Sequence, residues 1–477
     1  MKRQRMIFLI FTCCGLLMSC SEIGMPDDYL ADLDLKKAAE VAVFVVEPGG
    51  GDDTPAFLQA FDDAKAAGPG SVVQLVEGEY QLGFIEVRDF CGTLKGAGKG
   101  KSIITAMNNL DLDPLITSGV FPALMKFLGG KVTICHLTLR TPPGRISVGG
   151  PGYGHVSALL CFSANSSKYE PLNETRSSNI VVDHVCFRSQ KLEEGGIGYV
   201  FKYNSYFALL ACADYMGWAN NTVPRQKIDI TVTNSEFDSF CYGIVIQALK
   251  NSKVVIGEKN KGNTFSNIDQ AGGFWEGRDN EVLMAGNTFN IPPYSWGFDA
   301  DDYPWYGYLK NENPQKPSFI NFSDNVFNLD HAEYALYLRN RRTYTNPGDI
   351  PVAFQVRNNQ FNMTDGYEWG IASLYTDGLV IRNNKFSGQG DLALYLVNYS
   401  KNGLVLGNNF SKAILGTGVA YLTASTRNWI FTGGNFTDKV INLGVNNLFT
   451  GMNISTADEP PGRSISEKIV QMNHHMK

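Results

Sequence analysis

The chain has 477 residues, 18% of them charged and 49 of them glycine, with a formal net charge of −6 at pH 7. That length accommodates two or three compact domains or one extended repeat array. A weakly acidic, glycine-rich composition gives no basic face, so nucleic acid is excluded as a partner.

Met1-Lys2-Arg3-Gln4-Arg5 is a basic leader to an apolar run from Met6 to Met18. The pattern is that of an export signal, too short for a mature membrane span. The run ends Leu17-Met18-Ser19-Cys20, which resembles the bacterial lipobox. That resemblance implies cleavage before Cys20, lipidation of Cys20 and, with Ser21 next, sorting to the outer membrane of a Gram-negative bacterium. An ordinary signal with an incidental cysteine is the alternative. On this reading residues 1–19 are signal and 20–47 are tether and lead-in. Six further cysteines, at 91, 135, 161, 186, 212 and 241, lack CxxC spacing and a histidine pattern, which argues against structural zinc. An exported chain permits disulfides, yet runs such as Leu159-Leu160-Cys161-Phe162 point to buried free thiols.

Thr54 as N-cap and Pro55 at the first helical position predict a helix over 54–67, with Phe57, Leu58, Phe61 and Ala64 as its apolar stripe and Gly68 as its stop. Short strands follow at Val72-Val73-Gln74-Leu75, Gly78 to Leu82 and Ile103-Ile104. The order of a Gly-Asp-Asp-Thr helix start (51–54), Val73-x-Leu75-x-x-Gly78-x-Tyr80 and Leu94-x-Gly96-x-Gly98 resembles the N-terminal cap and first coil of the pectate-lyase superfamily. The resemblance covers residues 48–105. It implies a right-handed parallel β-helix whose open end the helix covers, because a first rung would otherwise expose apolar side chains and unpaired backbone.

Beyond residue 132 one phrase returns: GNTF at 262–265 and 286–289, DNVF at 324–327, NNQF at 358–361 and NNKF at 383–386. Variants end at Phe187, Phe237, Phe410 and Phe436, and successive Phe residues from Phe237 lie 28, 24, 38, 34, 25, 24 and 26 apart. A period in the twenties disturbed only by insertions marks a solenoid. A β-type run precedes each phrase (Leu379-Val380-Ile381) and a second follows it (Ala335 to Leu338), so the fold class is all-β, a parallel β-helix over 48–450 with 451–477 as cap or tail. Asn287, Asn325, Asn359 and Asn384 share one register position and predict a stacked amide ladder at a turn. His136 and His184 share the adjacent turn position and are read as turn residues.

Long insertions fall at two corners: after the Phe position (141–154, 188–205, 290–318) and after the second strand (164–178, 214–227, 340–351). They predict walls around a groove floored by the outward residues of the second strand, where function is usually carried. Alternation points Leu336, Leu338, Leu394 and Leu396 inward and Tyr337, Arg339 and Tyr395 outward. Outward aromatics in a groove suit sugar rings, and Trp296 and Trp305 in the 290–318 wall extend the row. Three carboxylates, Asp299, Asp301 and Asp302, cluster in the same wall. Such a cluster serves as an acid–base or acid–nucleophile pair, holds calcium, or is a solvated loop. Arg339, Arg341 and Arg342 match the carboxylate of an acidic sugar, and His155, which opens a second strand beside the loop 149–154, is the histidine expected to face the ligand.

Polygalacturonases of the superfamily carry Asn-Thr-Asp, Asp-Asp, Gly-His-Gly and Arg-Ile-Lys in order. Only Asp301-Asp302 is present, read within an insertion, and no motif of the calcium-dependent pectate lyases is recognisable. The resemblance therefore implies the fold and a carbohydrate ligand, and carries over no catalytic residue. The expectation is a lipid-anchored protein acting on polysaccharide as a lyase or glycoside hydrolase. The alternative is a non-catalytic surface lipoprotein, glycan-binding or adhesive.

Overall fold

The structure is a computed structural model that describes residues 41–107, 123–143, 156–163, 176–190, 205–212, 227–275, 277, 279–301, 317–340, 350–364, 366, 368–436, 439–452 and 454–455. The chain divides into Met1–Val41 and Ala42–Lys477, and the second unit holds all the elements below. Among the described residues every strand pairing is parallel, and each strand pairs with its equivalents one coil before and one coil after. This is a right-handed parallel β-helix, the hand that parallel crossovers adopt.

A coil contains three strands. The leading strands form rungs such as Val254, Val282, Ile320 and Phe354. The short strands of the repeated phrase align Phe265, Phe289, Phe327, Phe361 and Phe386. The third strands, here called the face strands, align Phe298, Leu336, Ile371, Leu394 and Ala420. All these side chains fill one continuous core. The phenylalanine rings stack face to face at 4.7 Å between Phe187 and Phe237, at 4.8 Å between Phe289 and Phe327, and at 5.3 Å between Phe410 and Phe436. That repeat is the strand spacing itself, so one residue type at one register position makes a column.

The predicted amide ladder is present and longer than expected, running through Asn263, Asn287, Asn325, Asn359, Asn384 and Asn408. Asn325 Nδ2 donates to Asn359 Oδ1 at 2.9 Å and to the Met284 carbonyl at 3.0 Å. Its Oδ1 accepts the Asn287 backbone N–H at 3.0 Å and Asn287 Nδ2 at 2.9 Å. Each turn would otherwise bury an unpaired N–H and C=O, and one amide per coil satisfies both. The preceding residue is left-handed, at φ 56° in Asp324, 56° in Asn358 and 55° in Asn383. His136 and His184 take the same conformation, φ 57° and 54°, as turn residues should.

Helix Thr54–Ala67 lies on the first rungs and buries Phe57, Ala60, Phe61 and Ala64. Leu58, read as part of the stripe, is exposed, because 57, 60, 61 and 64 are the positions that follow the helical period. Asp53, not Thr54, is the N-cap, and its carboxylate accepts the backbone N–H of Gly49 at 2.6 Å and of Gln81 at 2.9 Å. Phe61 meets Phe90 and Phe127 edge-on at 5.1 and 5.8 Å. Tyr80, whose hydroxyl donates to the Val46 and Val76 carbonyls, packs edge-on against Phe57 at 5.5 Å, and burial pushes its pKa up to about 12. The ladders start at strand Val43–Val46, inside the segment read as lead-in, and reach strand Ile454–Ser455.

The segment 290–318 is not a single insertion. Trp296–Asp301 is the face strand of its own coil, in register between Gln270–Trp275 and Tyr334–Arg339. Phe298 and Ala300 accordingly enter the core, while Asp299 and Asp301 stand on the outer face.

Candidate functional site

The outer face of the face strands presents ordered rows. One row runs Lys126, Cys161, Leu210, Val245, Gly273, Asp299, Tyr337, Ala372, Tyr395 and Tyr421. The next, two residues on, includes Trp275, Asp301, Arg339, Leu374 and Val397. Two apolar clusters occupy these rows. One is built from Cys161, Phe207, Leu210, Cys212 and Val245, and the other from Tyr334, Tyr337, Trp369, Tyr395 and Tyr421. Between them lies a strongly charged patch.

That patch is a triad. Asp299 and Asp301 are two residues apart on one strand, hence on one side of it, at about 6.6 Å between Cα atoms. Arg339 is the direct rung partner of Asp301 on the next coil. Its Nη2 bonds Asp299 Oδ2, and its Nε lies 3.3 Å from Asp301 Oδ2. Arg339 is 2% exposed, Asp299 5% and Asp301 1%. Burial works against the guanidinium's charge, but the Asp299 and Asp301 carboxylates outweigh it and hold Arg339 above its ordinary pKa. The Tyr337 ring completes the cradle, with its centroid 4.4 Å from Arg339 Cζ. Burial, and then the Asp299 charge, raise the Tyr334 phenol well above its usual value.

Aromatic side chains frame the triad. Trp296 stacks on Tyr334 at 5.7 Å and donates its indole N–H to Glu333 at 2.7 Å. Trp369 repeats the device two coils on, donating to Asp391 at 3.1 Å and packing on Tyr395 at 4.4 Å. On the other side the Trp275 indole lies across Gly273, where a Cβ would collide with it. Among the described residues Trp275 Nε1 has no acceptor.

The sequence reading is altered at several points. Tyr337, Arg339 and Tyr395 do point outward, but they are buried at 8%, 2% and 3% exposure instead of flooring an open groove. Arg339 is committed to two carboxylates and offers no free fork to an acidic sugar. Asp299 and Asp301 belong to the face itself and not to a wall, so the Asp-Asp at 301–302 begins at a strand end. A guanidinium stands between Asp299 and Asp301 where calcium would need to sit, so this pair does not fit that ion. Trp296 is on the face strand, whereas Phe298 is in the core. Asp302, Trp305, Arg341, Arg342, His155 and Cys20 lie outside the described residues. Trp275, Glu333, Tyr334, Trp369, Asp391 and Tyr421 were not singled out. Counting forward from each phenylalanine does not find them, because the corner before the face strand varies: Gly273 lies 8 residues after Phe265, Asp299 10 after Phe289 and Ala372 11 after Phe361.

No protein-family model and no curated protein matches this sequence. Among solved structures the chain is similar to the A-module of mannuronan C-5 epimerase AlgE4 from Azotobacter vinelandii, at 14% identity and a TM-score of 0.47 over 87% of this chain and 96% of that one. It is also similar to the N-terminal fragment of gene product 12 of bacteriophage phi29, at 14% identity and a TM-score of 0.48 over 86% and 69%. The family 28 exopolygalacturonase of Yersinia enterocolitica is similar at 10% identity and a TM-score of 0.41 over 88% and 79%. These are likenesses of architecture, and the parallel β-helix itself rests on the register of its own ladders.

Proposed function

We propose that this protein acts on a polysaccharide at the outer face of its face strands, with Asp299 and Asp301 as the reacting carboxylates. The observation that supports this most is their convergence on one face, on adjacent rungs to Arg339, between rows of tryptophan and tyrosine. Two carboxyls on one side of a strand can work as a pair on a glycosidic bond and a water, once the Arg339 guanidinium that lies between them is displaced. One carboxyl would protonate the leaving oxygen and the other would activate that water. Arg339, ion-paired with two carboxylates, is not placed to act as the base of a lyase at this pair, which supports the hydrolytic reading of it.

A second reading is favoured by a specific observation. Arg339 is buried, hydrogen-bonded to Asp299 and ion-paired with Asp301, as in an ion triad that fixes the packing of adjacent coils. On that reading the protein binds glycan, or adheres, without cleaving it. The anchor belongs to the proposal as well: Cys20 carries lipid and holds the protein at an outer membrane, which a membrane fraction emptied by Cys20→Ala would support.

The experiment is incubation of the protein from residue 21 onward with neutral and acidic polysaccharides, following both reducing ends and the ultraviolet absorbance of unsaturated uronates. New reducing ends without that absorbance support the hydrolase. Absorbance would make it a lyase and remove Asp299 and Asp301 from the chemistry. Retained glycan binding with neither signal selects the second reading.

A further inference from the structure

Remote from the triad, the turns between leading and phrase strands on two adjacent coils both carry histidine. The other described turns in this column use Asn, Asp or Gly, among them Asn234, Gly286, Asp324, Asn358 and Asn383, all at positive φ. His136 and His184 therefore stand one rung apart, with rings 4.9 Å between centroids and 27° between planes. Asp183, the residue before His184, points its Oδ2 at His184 Nδ1, 2.7 Å away. Its other oxygen accepts Thr233 Oγ1 and Asn234 Nδ2, both at 2.7 Å. Burial acts to raise this carboxyl, but the donors Asn234, Thr233 and His184 outweigh it and hold it below the usual range. The ligand-capable atoms of His136, Asp183 and His184 all lie within 4.8 Å of one another, and all three side chains keep partial access to solvent.

We propose that His136, His184 and Asp183 form a binding site for a divalent transition-metal ion. Two imidazoles and one carboxylate are a donor set suited to zinc, copper, nickel or ferrous iron and poorly suited to calcium or magnesium. Metal–nitrogen bonds of about 2.0–2.1 Å need the two rings to turn so that their nitrogens converge, and the His184–Asp183 hydrogen bond to be exchanged for bonds to the ion, a movement open to side chains that keep partial access to solvent. Asp183 is already oriented by Thr233 and Asn234, the kind of outer support that metal-site carboxylates and histidines have. Three protein donors leave a position open to water or another ligand. The ion would tie one coil to the next at the surface of the solenoid.

The test is isothermal titration of the intact protein, prepared without a polyhistidine tag, with zinc chloride, paired with melting curves with and without zinc. Asn is the residue other coils use at this left-handed position, so His136→Asn and His184→Asn keep the turn and separate binding from folding. The expected result is one saturable site and a melting temperature raised by zinc, since an ion that binds only the folded chain stabilises it. The double variant should melt as the wild type does without zinc and lose both effects, and Asp183→Asn, which removes a direct donor, should weaken binding by at least the roughly 10–100-fold that loss of an outer support costs. No saturable binding would overturn the proposal. So would binding that survives the double variant, or binding lost only in a His474→Ala, His475→Ala control.

Discussion

Replacing Arg339 by methionine keeps an unbranched apolar stem and removes the guanidinium with its charge. In the native protein the guanidinium lies between Asp299 and Asp301, and none of the three is more than 5% exposed. Taking one partner out of a buried ion cluster leaves the others uncompensated and costs about 3–5 kcal/mol. The two carboxyls can relieve part of that by keeping protons, so their folded-state pKa values rise above the ordinary carboxylate value. The folded variant then binds more protons than the unfolded chain in the interval between those values. Its stability is accordingly highest in acid and falls as pH rises through the interval. Urea denaturation at a series of pH values measures both the loss and its slope. Adding Asp299→Asn and Asp301→Asn to the methionine background removes the buried anions and should restore most of the loss. A loss below about 1 kcal/mol that does not vary with pH would show that both carboxylates reach water, as exposed ion pairs do, and would refute the buried triad.

Asn325→Ala removes four hydrogen bonds of the amide ladder and should cost about 2–4 kcal/mol at about 1 kcal/mol each; chemical denaturation checks this, and a neutral outcome would mean the ladder is not continuous. Phe327 stacks between Phe289 at 4.8 Å and Phe361 at 5.0 Å. Its replacement by alanine should cost about 3–5 kcal/mol, again read by denaturation, with leucine costing less. The Cys161 thiol is buried, which pushes its pKa up to about 12. It should resist iodoacetamide at neutral pH in the native protein while half-buried Cys91 is labelled first, with labelled peptides identified by mass spectrometry.

The architecture was legible because a parallel solenoid writes its register into the sequence. Phe187 to Phe436 repeat since each ring must stack on the last, and Asn287 to Asn384 repeat since each amide closes the same turn. The site was less legible. Trp296–Asp301 reads Trp-Gly-Phe-Asp-Ala-Asp, and two aspartates with a glycine and an alanine carry weak strand propensity. Only its pairing with the strands on either side makes it a strand. That moved Asp299 and Asp301 from a wall to the face. Alternation also tells inward from outward, not buried from exposed. Tyr337 and Tyr395 follow the expected pattern and are nonetheless covered, because this outer face builds apolar clusters of its own. The helix stripe shows the same limit at small scale, where Leu58 looked apolar enough and Ala60 held the position.

The most direct measurement is the initial rate at which Asp301→Asn releases reducing ends from a polysaccharide that the wild type cleaves, with binding to the same glycan measured alongside. If Asp299 and Asp301 are the reacting pair, the rate should fall by about a hundredfold or more while binding is retained, the loss that removing a general acid or base entails. An unchanged rate in a variant that melts like the wild type would place the chemistry elsewhere and leave the triad as a structural pin.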